Sequence, residues 1–148
     1  VDSTEYSDDY KTPVLTAGKS FILGYTDEEH NHFTNFPVII FDDFTTDFKY
    51  VDFQFKVKSS AMKILCPKEN VNVRFVYDAM QTIRFPKGEH KRYWISEYSF
   101  MKIPYPSQEE QQKIASLSVG FDQKIDVVAK ELSSTQKLKK GLLQQMFV

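Results

Sequence analysis

The chain has 148 residues, 41% of them hydrophobic and 15% aromatic, which suits one packed domain with an appendage and excludes a disordered chain. A single cysteine excludes an internal disulfide framework, and with only three histidines we expect no metal site and no cofactor. The net charge of −1 is not the basic balance of a stand-alone nucleic-acid-binding protein, and no apolar run approaches the ~18 residues of a membrane span, so we expect a soluble, cytoplasmic protein with no membrane contact.

Short strands separated by turns are predicted for the first part of the chain. The run Val-Ile-Ile-Phe at 38–41 is typical of a buried strand. Apolar and polar residues alternate over 50–57, which predicts one half-buried strand with Val51, Phe53, Phe55 and Val57 facing inward. The other predicted strands cover 12–16, 20–23 (ended by Gly24) and 61–65.

A helix is predicted within residues 70–83, where apolar side chains recur at helical spacing and Asn70 or Asn72 provides the N-cap. Residues 91–95 fit either a strand or a turn. Together these elements predict an α+β fold in which the sheet is mostly antiparallel.

The segment after Pro106 predicts one long helix over residues 107–147, about 60 Å at roughly 1.5 Å per residue. Ser107 and Glu110 form a capping box at its start. Apolar residues recur in a narrow seam at heptad spacing, as in a coiled coil. Because no second heptad segment is present in this sequence, we expect the seam to pair with another polypeptide, such as a second copy of the chain. The seam consists of Ile114, Leu117, Phe121, Ile125, Val128, Leu132, Leu138, Leu142 and Met146.

Two motifs that suggest enzymes are weak. The sequence AGKS at 17–20 lacks the first glycine of the phosphate-binding loop, because Pro13 stands in its place. Asp42 or Asp43, together with Gln54 and Lys56, imitates the metal-binding residues of restriction-type nucleases, although glutamine is a poor metal ligand. A metal-dependent nuclease therefore stays the least favoured alternative, and we predict no catalytic residues.

Hydroxyl, cationic and aromatic residues with chemistry suited to DNA are scattered through the domain. Lysine and arginine bind phosphates or guanine edges, and hydroxyls donate to either. The candidates are Thr16, Lys19, Ser20, Tyr25, Thr45, Thr46, Lys58, Ser59, Arg84, Lys91, Arg92 and Tyr93. They form an interface only if the fold gathers them on one side.

The C-terminal region resembles the conserved helical region of the specificity subunits of type I restriction–modification systems. Those chains read Ile-Pro-x-Pro-x-x-x-Glu-Gln-x-x-Ile and end Lys-Lys-Gly-Leu-Leu-Gln-x-x-Phe. The matching residues are Ile103, Pro104, Pro106, Glu110, Gln111 and Ile114, then Lys139, Lys140, Gly141, Leu142, Leu143, Gln144 and Phe147. Residues in the range 14–65 are also similar to one subtype of the family's target-recognition domain.

The resemblance implies a non-catalytic subunit that recognises a bipartite double-stranded DNA site. Residues 1–103 would be the target-recognition domain, and residues 104–148 the helix that serves dimerisation and assembly. Methyltransferase subunits would pack on it directly, and a motor-nuclease subunit would join through them. The chain has one domain and one helix and lacks the family's usual opening segment, which fits a half-subunit or a C-terminal fragment. A degenerate assembly protein without DNA recognition is the alternative.

Overall fold

The computed structural model describes residues 6–16, 20–84 and 92–147. Two three-stranded sheets and two α-helices make up its architecture, with a short 3-10 turn at Tyr98–Phe100. The strands are β1 (Thr12–Leu15), β2 (Ile22–Thr26), β3 (Val38–Asp42), β4 (Phe48–Val51), β5 (Lys56–Val57) and β6 (Met62–Leu65), and the helices are α1 (Val73–Gln81) and α2 (Gln108–Met146). The predicted α+β class with a long C-terminal helix is confirmed.

Strand β3 is the centre of the domain because both of its faces are buried. It pairs antiparallel with β4 and β6, and the second sheet has the order β2-β1-β5. Val38 and Ile40 pack towards Leu15 of the second sheet, whereas Ile39 and Phe41 pack towards α1. The domain therefore has three layers, sheet on sheet on helix, with a hydrophobic core on each side of β3.

The single strand predicted over residues 50–57 is wrong, because this stretch forms two strands in different sheets. β4 ends at Val51, and the chain crosses over to pair β5 parallel with β1. The expected alternation fails with it: Phe53 is 37% exposed, and Lys56 is only 1% exposed. Lys56 is buried because its ammonium group pairs with the carboxylate of Glu28.

Gly24 does not end the second strand as predicted, since β2 runs through it to Thr26. A Cβ at position 24 would lie 2.8 Å from the Cβ of Tyr6, so the position requires a residue without a side chain. The glycine is there for close packing, and the strand around it keeps its pairing with β1.

Both helices begin at predicted caps. Asn72 accepts a hydrogen bond from Phe75 N–H at 3.0 Å and caps α1. Ser107 and Glu110 complete the capping box of α2, with the Ser107 hydroxyl accepting from Glu110 N–H. Residues 92–95 form no strand, and a turn begins at Trp94; Lys91, also part of the strand-or-turn prediction, lies outside the described residues.

Candidate nucleic-acid interface and the long helix

The described ends of the loop between β1 and β2 (residues 16, 20 and 21) lie at the same edge of the two sheets as loops 43–47 and 58–61. The parallel pairing of β1 and β5 places their C-terminal ends side by side, and Lys58 N–H donates to the Leu15 carbonyl at 3.0 Å. Asp43 N–H donates to the Ala61 carbonyl at 3.2 Å, which joins the end of β3 to the loop before β6. We call these three loops the loop edge.

The segment that starts at Arg92 is attached to the loop edge through Asp43. The Oδ1 atom of Asp43 accepts a hydrogen bond from Trp94 N–H at 2.7 Å, and its Oδ2 atom lies 3.5 Å from Lys63 Nζ. The Arg92 guanidinium lies 5.5 Å from the centre of the Phe44 ring, a cation–π contact. An exposed cation thereby joins the loop edge from a distant part of the chain.

Half of the candidate DNA-contacting residues come together at this edge with side chains that are exposed or half-buried. These are Thr16, Ser20, Thr45, Lys58, Ser59 and Arg92. Two others, Thr46 and Tyr93, lie in the same region but are only 5% exposed, so they hold the loops from inside instead of facing solvent.

The remaining candidates lie elsewhere or outside the described residues. Tyr25 is half-buried towards the other end of β2, where it pairs with Pro13, and Arg84 follows the end of α1. Lys19 and Lys91 fall outside the described ranges.

The side chains on which the nuclease hypothesis depends are bonded to other protein groups. Gln54 Nε2 lies 2.6 Å from Nδ1 of His32, and Lys56 pairs with Glu28. Asp43 holds the loops together, and its strand belongs to a different sheet from the one that contains Lys56. Among the described residues no group of three metal-ligating side chains is close enough to hold an ion.

Helix α2 contacts the domain through its first four turns, on one face. Gln111 is fully buried there: its Oε1 accepts from Asn72 N–H at 2.9 Å and its Nε2 donates to the Pro106 carbonyl at 3.0 Å. Ala115 is buried beside it. Further along this face, Ser118 and Asp122 accept hydrogen bonds from Arg74 on α1.

The sequence pattern did not identify the two residues that attach α2 to the domain, Arg74 and Gln111. Burial lowers the pKa of Arg74, but its hydrogen bonds to Asp122 and Asp78 outweigh this effect, so its pKa is raised above the ordinary value. The guanidinium is therefore a permanent cation at the contact between the two helices. The Glu-Gln pair of the C-terminal motif is the one signal that pointed here: Glu110 caps the helix and Gln111 attaches it.

The heptad seam lies on another face of α2. At 100° per residue, the seam is displaced by roughly a quarter turn from the face that carries Gln111 and Asp122. All nine seam residues are exposed, from 44% at Ile114 to 72% at Met146. The described part of the domain therefore does not cover the seam, and α2 continues for more than six turns beyond Asp122. No helix in the described part is long and apolar enough to cross a membrane.

Two proteins with related sequences are known as specificity subunits. The chain is 45% identical over 149 aligned positions, 95% of its length, to the type I restriction enzyme EcoR124I/EcoR124II specificity subunit of Escherichia coli. It is 35% identical over 52 residues to a Methanocaldococcus jannaschii protein provisionally named the type I restriction enzyme MjaX specificity subunit. No protein-family model matches the chain. The chain spans 37% of the length of the E. coli relative and 12% of the archaeal one.

Proposed function

We propose that this chain, which is homologous to the specificity subunits of type I restriction enzymes, is a non-catalytic subunit that recognises half of a bipartite DNA site. Residues 1–103 act as the target-recognition domain and residues 104–148 as the helix for dimerisation and assembly. Methyltransferase subunits bind the chain directly, and a motor-nuclease subunit joins the complex through them. The identity of 45% over 95% of the chain is the observation that carries the proposal.

The loop edge is the surface we assign to DNA. Loops that project from a rigid scaffold commonly carry recognition residues. Here the side chains of Ser20, Lys58 and Ser59 lie next to the ends of paired strands. The cation of Arg92 is held at the same edge by its contact with Phe44 and by the hydrogen bond from Trp94 N–H to Asp43. Such side chains donate hydrogen bonds to base edges or phosphates.

The exposed seam supports pairing with a second copy. Large apolar side chains along one helix face are stable when another helix covers them, and two identical helices pair most simply about a two-fold axis. A pair of this kind presents two loop edges in opposite orientations. The expected DNA site therefore consists of two inverted half-sites separated by a spacer.

Sequencing of methylated DNA tests the proposal. The chain is incubated with a type I methyltransferase, S-adenosylmethionine and bacterial genomic DNA, and methylated adenines are mapped. We expect one inverted bipartite motif. Methylation without a sequence motif, or none beyond that of methyltransferase alone, would contradict the proposal.

A matched pair of lysine substitutions tests the loop edge. Lys58 lies on that edge, whereas Lys68 follows β6 at the opposite edge. Lys58→Gln should weaken DNA binding by the complex and reduce its salt slope by about 1, as expected for one lost phosphate contact. Lys68→Gln should change neither quantity. Equal effects of the two substitutions would remove the loop edge from the interface.

The alternative is an assembly protein that binds methyltransferase without reading DNA. Acidic residues at the loop edge favour it, since Asp42 and Asp43 are buried there, Asp47 is exposed and Lys63 is neutralised by Asp43. In that case the chain would bind methyltransferase, and the pattern of methylated sites would not change on its addition.

A further inference from the structure

Arg74 uses its guanidinium group to connect α1 with α2. Its Nε donates to the two carboxylate oxygens of Asp78 at 3.1 and 3.3 Å, within α1. Its Nη2 donates to Ser118 Oγ at 2.9 Å and to Asp122 Oδ2 at 2.6 Å, both on α2. The contact with Asp78 holds the flat group in place while its other side reaches across to the second helix.

Two aromatic rings lie beside the same group. The guanidinium carbon lies 5.6 Å from the ring centre of Tyr50 on β4 and 5.4 Å from that of Tyr77 on α1. Cation–π contacts of this kind are directional, and they tie Arg74 to the central sheet as well as to its own helix. Through Arg74, the position of α2 is therefore fixed relative to the core of the domain.

A second attachment point lies at the start of α2. Gln111 is buried against Asn72, and the Asn72 side chain also donates to Gln112 Oε1 at 2.9 Å. Gln111 and Asp122 are eleven residues apart, about 16 Å along the helix axis. Two attachment points fix the direction of the α2 axis. With the Gln111 contact alone, the helix could rotate about that point.

A change in direction would be amplified along the free part of the helix. From the pivot at Gln111 to the end of α2 at Met146 the helix extends about 52 Å. A tilt of roughly 10° about this point would move its far end by about 9 Å, which is more than two base-pair steps of ~3.4 Å. Errors of this size would alter the separation of two DNA half-sites.

We propose that Arg74 is a positioning residue that fixes the direction of α2 relative to the domain and thereby restricts the spacer length that a paired subunit accepts. This inference rests on the proposed function. The cation itself does not touch DNA; it acts through the geometry of the helix. Lysine cannot replace it, because a single ammonium group cannot bond Asp78 and both α2 acceptors in one plane.

Three variants test the inference. Arg74→Lys keeps the charge but loses the planar donor set, and Asp122→Ala removes an acceptor that is 54% exposed, so folding is not at risk. Asp126→Ala is the matched control, since it removes the same charge one turn further along α2. Spin labels on the exposed native Cys66 and on Ser134→Cys report the distance between domain and helix.

We expect a narrow distance distribution in the parent and in Asp126→Ala, and a broadened one in Arg74→Lys and Asp122→Ala. In the methylated-DNA experiment, the share of sites with a neighbouring spacer length should rise about tenfold in the two broadened variants, as expected for loss of one charged hydrogen bond. Half-site sequences should stay the same, because the loop edge is unchanged.

Two results would overturn the inference while the proposed function stands. One is an unchanged distance distribution in Arg74→Lys and Asp122→Ala. The other is a broadened distribution with the spacer preference of the parent. If the parent itself gives no bipartite motif, the proposed function fails, and the inference fails with it.

Discussion

The neighbouring valines of α2 provide a sharp test of seam pairing. Val128 belongs to the seam and is 61% exposed, whereas Val127 is 54% exposed and lies about 100° away around the helix axis. Val→Ala removes two methyl groups at either position and changes helix propensity equally. The two variants therefore differ only in the face that they alter.

The size of the effect follows from the exposed fraction of Val128. At roughly 0.8 kcal/mol for each buried methyl-sized group, covering 61% of the two groups contributes about 1 kcal/mol in each copy. A symmetric pair loses this twice, about 2 kcal/mol in total. The dimer dissociation constant of Val128→Ala should therefore rise about 30-fold.

Sedimentation equilibrium of the purified chain over a range of concentrations measures this constant. Val127→Ala should associate as the parent does. The reasoning is refuted if both variants weaken the dimer equally, because the seam would then not be the paired face. A parent chain that stays monomeric throughout that range would refute it as well.

Three further substitutions probe the domain and the start of α2. Gly24→Ala should lower the free energy of unfolding by about 1–3 kcal/mol, because its Cβ would clash with the packed tyrosine side chain. Gly141→Ala, whose Cβ meets open space, should stabilise α2 slightly, and thermal unfolding compares the two variants. Gln111→Leu should lower the free energy of unfolding by about 1–3 kcal/mol, because two backbone groups would lose their hydrogen-bond partner. Gln112→Leu, at the exposed neighbouring position, should lower it by less than about 0.5 kcal/mol in the same thermal unfolding experiment. Hydrogen bonds from the capping serine's hydroxyl and then its backbone N–H hold the pKa of Glu110 below 4.5, so its stabilisation of the first turn is present above pH 4.5 and lost as the pH falls through the lowered pKa. The protection of amides in that turn, measured as the exchange rate relative to that of an unstructured chain at the same pH, should fall there, and Glu110→Gln should remove this fall.

The long helix was predictable because its signals are local. The capping box needs only Ser107 and Glu110, and heptad periodicity is read within a few turns of one segment. The α1 cap at Asn72 was predictable for the same reason. Since these signals depend on no distant contact, the sequence-based bounds agree with the structure to within a few residues.

Contacts between distant segments could not be predicted. The buried position of Lys56 depends on its ion pair with Glu28, which lies 28 residues earlier. The alternating pattern of residues 50–57 is interrupted because β5 pairs with β1 of the other sheet, a partner that the local sequence does not indicate. The need for glycine at position 24 depends on Tyr6, a packing partner from another segment, so the sequence alone did not show that β2 continues through this glycine.

The candidate interface shows the same division. Residue chemistry identified Lys58 and Arg92, but only the fold places the two at one edge of the domain. Burial removes Tyr93 from that surface, although its chemistry is equally suitable. The attachment of α2 through Arg74 could not be predicted. Nothing in the sequence around an arginine on an amphipathic helix indicates that it bonds a serine and an aspartate more than 40 residues later.

The exposed side chains of the loop edge lie outside both hydrophobic cores, and this affects how the domain can evolve. Substitutions at exposed positions such as Ser20, Lys58 and Ser60 leave the packing around β3 intact, and doubling the length of such a loop costs only about 0.6 kcal/mol in closure entropy. Lineages can therefore acquire new loop sequences, and even insertions, on an inherited framework of strands. The amino acids beneath, which touch one another on both sides of β3, have no comparable freedom to drift.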